Sequence, residues 1–178
     1  MHTARLTSDT SSEDSQHDLS RLLSMLLEHF NLLLADDDKD DCLFFRDALE
    51  ELPVQAELTT VHNGEQLMQL LGESKDTLPH VLFLDLNMPR KNGFECLSEL
   101  KLDDRLKSLP VIIFSTSFEQ DVVNLLYKKG GQYYIRKPAE FSQLKNVILE
   151  ALTLIAEGKT SQPDRDQFVI TGRNPLAT

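Results

Sequence analysis

Acid, hydroxyl and ammonium side chains follow directly on apolar runs at four places in this 178-residue sequence. Val81-Leu82-Phe83-Leu84 ends at Asp85, and Pro89 then stops regular pairing. Leu32-Leu33-Leu34-Ala35 ends in Asp36-Asp37-Asp38, Val111-Ile112-Ile113-Phe114 in Ser115-Thr116-Ser117, and Tyr133-Tyr134-Ile135 in Arg136-Lys137-Pro138. Short uninterrupted apolar runs read as strands buried on both faces, as in a parallel sheet covered by helices. All carboxyl ends of such a sheet lie on one edge, where open α/β folds bind their ligands. Asp36, Asp37, Asp85, Ser115 and Lys137 can therefore converge although they are far apart in the chain. Three carboxylates in one crevice repel, and they stay ionised when a cation sits among them. Oxygen ligands without His or Cys favour a hard ion such as Mg²⁺. A hydroxyl and an ammonium beside them suit the peripheral oxygens of a phosphoryl group. The set points to phosphoryl transfer, with one carboxylate as acceptor.

The elements that must position these residues alternate along the chain. After Asp36-Asp37-Asp38 comes a helix carrying Phe44, Ala48 and Leu52, with Asp40 and Asp41 in its first turn favouring the helix dipole. Ala56–Val61 is a weaker strand, and Asn63-Gly64 turns into a helix around Leu67, Leu70 and Leu71. Gly93–Lys101 is helical, with Phe94, Leu97 and Leu100 as its stripe. Val122, Val123, Leu125 and Leu126 lie on a helix ended by Gly130-Gly131. Tyr133-Tyr134-Ile135 is the last strand, expected at a sheet edge, and a final helix spans Phe141–Ile155. Five strand–helix alternations predict a doubly wound, five-stranded parallel sheet with right-handed crossovers.

Outside this unit, residues 1–17 are polar and acidic and are expected to be a disordered tail. Leu19, Leu22, Leu23, Leu26, Leu27 and Phe30 share one helical face, with Asp18 as N-cap, so an amphipathic helix is expected over 18–29. That face packs on its own domain or serves as a self-association seam, which leaves a homodimer open. Residues 30–157 form the folded domain, and 158–178 read as a C-terminal tail apart from Phe168-Val169-Ile170.

The formal charge of −11 argues against nucleic acid as a direct partner, since phosphate binding needs clustered Lys and Arg. No apolar run approaches the ~18 residues that span a bilayer, and the polar start is unlike a signal peptide. Cys42 and Cys96 make no CxxC pair, are expected on opposite faces of the sheet, and fit a reducing cytoplasm. His17, His62 and His80 suggest no triad or metal site.

The motifs DDD (36–38), LDLNMPRKNG (84–93), ST (115–116) and YIRKP (134–138) together resemble the receiver domain of two-component response regulators. The resemblance covers about Phe30 to Ile155 and implies the flavodoxin-like strand order 2-1-3-4-5. It implies that Asp85 is the phosphoacceptor, and that Asp37, Asp85 and the backbone carbonyl of Asn87 ligate Mg²⁺, with Asp36 acting through water. Ser115 takes the switch hydroxyl position and Tyr134 the switch aromatic position, Lys137 pairs with the phosphate, and the Lys137-Pro138 bond is expected cis. Asn87, two residues past the acceptor, borders the approach of the hydrolytic water.

The resemblance implies a signalling phosphoacceptor rather than an enzyme, phosphorylated by a histidine kinase or a phosphotransfer protein. The twenty or so residues after the last helix are too few for a DNA-binding domain. A stand-alone regulator with output through a protein partner is therefore expected, similar in layout to those that serve bacterial phytochromes and hybrid kinases. The alternative is an aspartate-nucleophile phosphatase of the haloacid dehalogenase type. That chemistry needs a second Asp two residues on as general acid, and this chain has Asn87 there.

Overall fold

The fold is that of a computed structural model, which describes residues 16, 17, 20, 28–158 and 161–172. Strand β1 (His29–Ala35) is followed by helix α1 (Lys39–Glu50), β2 (Gln55–Val61), α2 (Gly64–Glu73), β3 (Val81–Leu84) and α3 (Gly93–Leu102). Then come β4 (Val111–Ser115), α4 (Gln120–Lys128), β5 (Tyr133–Arg136), α5 (Phe141–Ala156) and β6 (Val169–Ile170). All strand pairs are parallel, in the order β2-β1-β3-β4-β5-β6.

Register brings the strand ends level. Ala35 stands beside Leu84, and the Asp85 amide donates to the Ala35 carbonyl at 2.9 Å, so Asp36 and Asp85 leave the sheet side by side. On the other flank Leu84 stands beside Ile113, and Ser115 beside Arg136. Helices α1 and α5 cover one face, where Phe45 meets Phe83 and Phe114 edge-on at 4.9 and 5.5 Å. Helices α2, α3 and α4 cover the other, with Leu67, Leu71, Leu97, Leu100, Val123 and Leu126 buried. Cys42 and Cys96 are free, buried and on opposite faces, as expected.

Each helix that follows β1, β2 or β3 starts at the carboxyl edge behind a side-chain cap. Asp38 accepts from the amides of Asp40 and Asp41, Asn63 from that of Gln66, and Asn92 forms a reciprocal capping box with Glu95. Three positive helix ends therefore face the edge where the acids gather.

Four expectations need correction. The sheet has six strands: the Tyr134 amide donates to the Phe168 carbonyl at 2.9 Å, so β5 is not an edge. Two paired residues in a polar stretch carry too little alternation to read as a strand. The stripe of α1 is Cys42, Phe45, Ala48 and Leu49, because mixed three- and four-residue steps follow the helical period better than fours alone; Phe44 is only partly buried, and Leu52 lies past the helix end. Most of the helix expected over 18–29 lies outside the described residues, but His29 and Phe30 belong to β1, where Phe30 is buried beside Ala56. No peptide bond among the described residues is cis, so Lys137-Pro138 is trans, the favoured isomer of X–Pro by ~0.5–1 kcal/mol.

Candidate functional site

The end of β1 and the end of β3 supply the centre of the site. Asp36 is completely buried, Asp85 nearly so, and Asp37 is exposed at the rim. One carboxylate oxygen from each lies within 4.8 Å of the others. Lys137, delivered by the end of β5, reaches in with only 10 % of its side chain exposed. Its Nζ lies 2.7 Å from Asp36 Oδ2, 2.9 Å from Asp41 Oδ2 and 3.4 Å from Asp85 Oδ2.

Burial dominates the electrostatics. It pushes the Asp36 carboxyl up to about 6, against the opposing pull of the Lys137 ammonium. It raises Asp85 as well, opposed by Lys137 and by hydrogen bonds from the Asn87 and Leu86 amides. Burial alone would lower Lys137, but its ion pairs with Asp36 and Asp41 outweigh that and raise it. Asp36 Oδ1 accepts from the Asp38 amide at 3.0 Å, whereas the buried Oδ2 has the ammonium near it but no well-directed hydrogen bond. Carboxylates whose charge is this costly, in an all-oxygen set, fit a hard divalent cation.

On the next strand Ser115 is fully buried, and its Oγ accepts from the Ser117 amide at 3.2 Å. The Tyr134 ring is buried with its hydroxyl turned inward, donating to the Ser117 carbonyl. Burial raises the Tyr134 phenol, against a hydrogen bond with Ser115. The ring packs edge-on against Phe118 at 5.9 Å and Phe168 at 6.3 Å. Asn87 is exposed at the lip. Behind it α3 presses on the strand end so closely that a Cβ on Gly93 would lie 2.3 Å from the Asp85 carbonyl oxygen.

Asp36, Asp37, Asp85 and Lys137 thus meet directly, with Ser115 and Tyr134 one and two strands away at the same edge. Two residues not expected there join them. Asp41 pairs with Lys137, and the His62 Nδ1 lies 3.0 Å from the Asp36 backbone carbonyl. Both had a signal: His62 directly follows β2, and Asp41 sits in the first turn of a helix that starts at the carboxyl edge.

A flavodoxin-like sheet carrying acids, a hydroxyl and a lysine on one carboxyl edge defines a phosphoryl-accepting signalling domain. The chain belongs to the response regulator receiver domain family, whose pattern matches residues 32–149. It is 31 % identical over 136 residues to the response regulator Rcp1 of Synechocystis sp., covering 70 % of this chain and 92 % of that one. The crystal structure of the phosphorylated cyanobacterial phytochrome response regulator RcpA superposes with a TM-score of 0.63 at 33 % identity, over 76 % of this chain and 97 % of that one. The Mn²⁺-bound form of Rcp1 superposes with a TM-score of 0.58 at 28 % identity, over 72 % and 90 %. The chain is a phosphoaccepting response regulator of two-component signalling. Among the described residues, no helix is long and apolar enough to cross a membrane.

Proposed function

We propose that Asp85 receives the phosphoryl group, from a phosphohistidine on a histidine kinase or a phosphotransfer protein. The observation that carries this reading is the meeting of Asp36, Asp37 and Asp85 within 4.8 Å, with Lys137 against them. An Asp85 carboxylate oxygen bonds to phosphorus as the P–N bond breaks, and the histidine nitrogen keeps the electron pair and takes a proton. Asp37, Asp85 and the Asn87 carbonyl would hold Mg²⁺, and Asp36 would assist them. The chemistry such an ion would supply is charge neutralisation, so that a negative carboxylate could meet a negative phosphoryl group. Lys137 and Ser115 hold peripheral oxygens, and Tyr134 follows the Ser115 hydroxyl as the switch aromatic. The pocket supports its own phosphorylation and dephosphorylation without turning over a separate substrate, so the protein acts as a signalling component rather than an enzyme. It works in the cytoplasm through a protein partner. RcpA being a phytochrome response regulator, a light-sensing kinase is the first donor to try.

The test uses labelled acetyl phosphate on purified protein, with a cognate kinase as second donor. Label is expected in wild type, abolished by EDTA and by Asp85→Asn, and slowed but not abolished by Asp37→Asn. Wild-type labelling of Asp85→Asn would overturn the assignment, and EDTA-resistant labelling would remove the metal.

A further inference from the structure

Asp41 is separated from Lys137 by 96 positions in the chain, yet its Oδ2 lies 2.9 Å from Lys137 Nζ. We propose that Asp41 is a positioning residue for Lys137, keeping the ammonium beside Asp85 as the phosphoryl group arrives. The inference rests on the reading of Asp85 as the acceptor.

Three features support it. An ammonium has three N–H donors, and Lys137 faces three carboxylates, those of Asp36, Asp41 and Asp85. Asp36 and Asp85 belong to the trio that can hold a cation, and Asp41 does not. A divalent cation among the trio would offset two of their three charges and would itself repel the ammonium, so more of the hold on Lys137 would fall to Asp41. Fixing a long lysine side chain costs rotamer entropy, and a partner outside the trio offsets part of it. Asp41 is a firm anchor: it sits in the first turn of α1, its amide is 3.2 Å from Asp38 Oδ1, and the Phe114 ring lies 5.6 Å from Nζ as a second support. The Asp41 side chain is 40 % exposed, so solvent screens the pair and the effect is modest.

The competing account makes Asp41 only a helix-dipole carboxylate. Asp40 separates the two, because it occupies the same turn, carries the same charge and has no contact with Lys137. Full-length Asp41→Asn, Asp40→Asn and Asp41→Glu are compared with wild type for acyl-phosphate formation from acetyl phosphate in saturating MgCl₂. Calorimetry gives Mg²⁺ affinity for each. Asp41→Asn is expected to lower the maximal rate about three- to fivefold, the kinetic equivalent of a partly exposed ion pair, with Mg²⁺ affinity within about twofold of wild type. Asp40→Asn keeps the wild-type rate, and Asp41→Glu recovers most of it. In a Lys137→Met background, Asp41→Asn adds no further loss.

A second measurement needs no phosphoryl donor. In NMR spectra of the Mg²⁺-loaded protein, the two Lys137 Hε protons are distinct in wild type and Asp40→Asn and averaged in Asp41→Asn. Equal rates for Asp41→Asn and wild type, equal slowing by Asp40→Asn, independent losses in the Lys137→Met background, or distinct Hε protons in Asp41→Asn would each overturn the proposal. Label retained in Asp85→Asn would instead overturn the acceptor assignment, whatever the Asp41 variants do.

Discussion

Single residues at this site differ in how far their type announces their part. Asp85 and Lys137 are strand-end charges whose meaning comes from the edge they share, and the register that aligns Ala35 with Leu84 puts Asp36 beside Asp85. Asn87 is exposed at the lip, two residues past Asp85, and in the proposed function it borders the approach of the hydrolytic water. Asn87→Arg is expected to lengthen the life of the phosphorylated form severalfold by crowding that approach, followed as decay of label after the donor is removed. An unchanged decay rate would take Asn87 out of hydrolysis. Cys96 is a different case, a buried thiol in the packing of α3 that burial pushes up to about 11 from 9.0. The unfolded chain gives up this proton near 9 and the folded chain only near 11, so the associated stability is complete below pH 9 and lost as pH rises through 11. Native protein at pH 8 should therefore react with iodoacetamide far more slowly than urea-unfolded protein. Equal rates in the two states would mean that the α3 face is open. Asp41 marks the limit of reading residues singly: first-turn acids are common for dipole reasons alone, and only the packing of α1 beside the end of β5 gives this one a cation to hold.

Elements were legible where the apolar signal was strong. The four buried strands β1, β3, β4 and β5 and the helices between them follow from uninterrupted apolar runs and helical stripes. The stretch after α5 was not, because its order comes from side-chain anchors rather than periodicity. Gln162 Nε2 donates to the carbonyls of Tyr127 and Gly131 at 2.7 Å, the Tyr127 hydroxyl donates to the Pro163 carbonyl at 3.0 Å, and Arg165 reaches Asn124 Oδ1 at 2.6 Å. Phe168 then buries completely against Tyr127 at 5.1 Å and Tyr134 at 6.3 Å. Polar residues that make specific long-range bonds look like any loop until their partners are in place. Phe168→Ala removes this aromatic plug, a change that in a core costs ~3–5 kcal/mol. Hydrogen exchange should show the Tyr134 amide, which donates to the Phe168 carbonyl, losing protection while the amides of β1 and β3 keep theirs. Unchanged protection at Tyr134 would mean that β6 holds by its backbone alone.

At the scale of the whole molecule, a parallel sheet does the assembling. Residues as distant as Asp36 and Lys137 meet because every strand delivers its carboxyl end to one edge, and α1, α2 and α3 start there with their positive ends. The fold class and the convergence of Asp36, Asp37, Asp85 and Lys137 could be read from strand ends, since the parallel topology alone dictates which end is which. The closeness of the convergence could not, because distances such as 2.7 Å between Lys137 and Asp36 depend on register and on side-chain packing. With a formal charge of −11 the protein repels polyanions and is expected to show no salt-dependent retention on duplex DNA. The central claim is that one carboxylate in this pocket becomes an acyl phosphate. Wild-type protein is incubated with acetyl phosphate and MgCl₂, reduced with borohydride, which converts an aspartyl phosphate to homoserine, and mapped by peptide mass spectrometry. The expected result is homoserine at position 85 and at no other acid, including Asp36, Asp37 and Asp41. Homoserine at one of those instead, or label carried only on a histidine, would contradict the account.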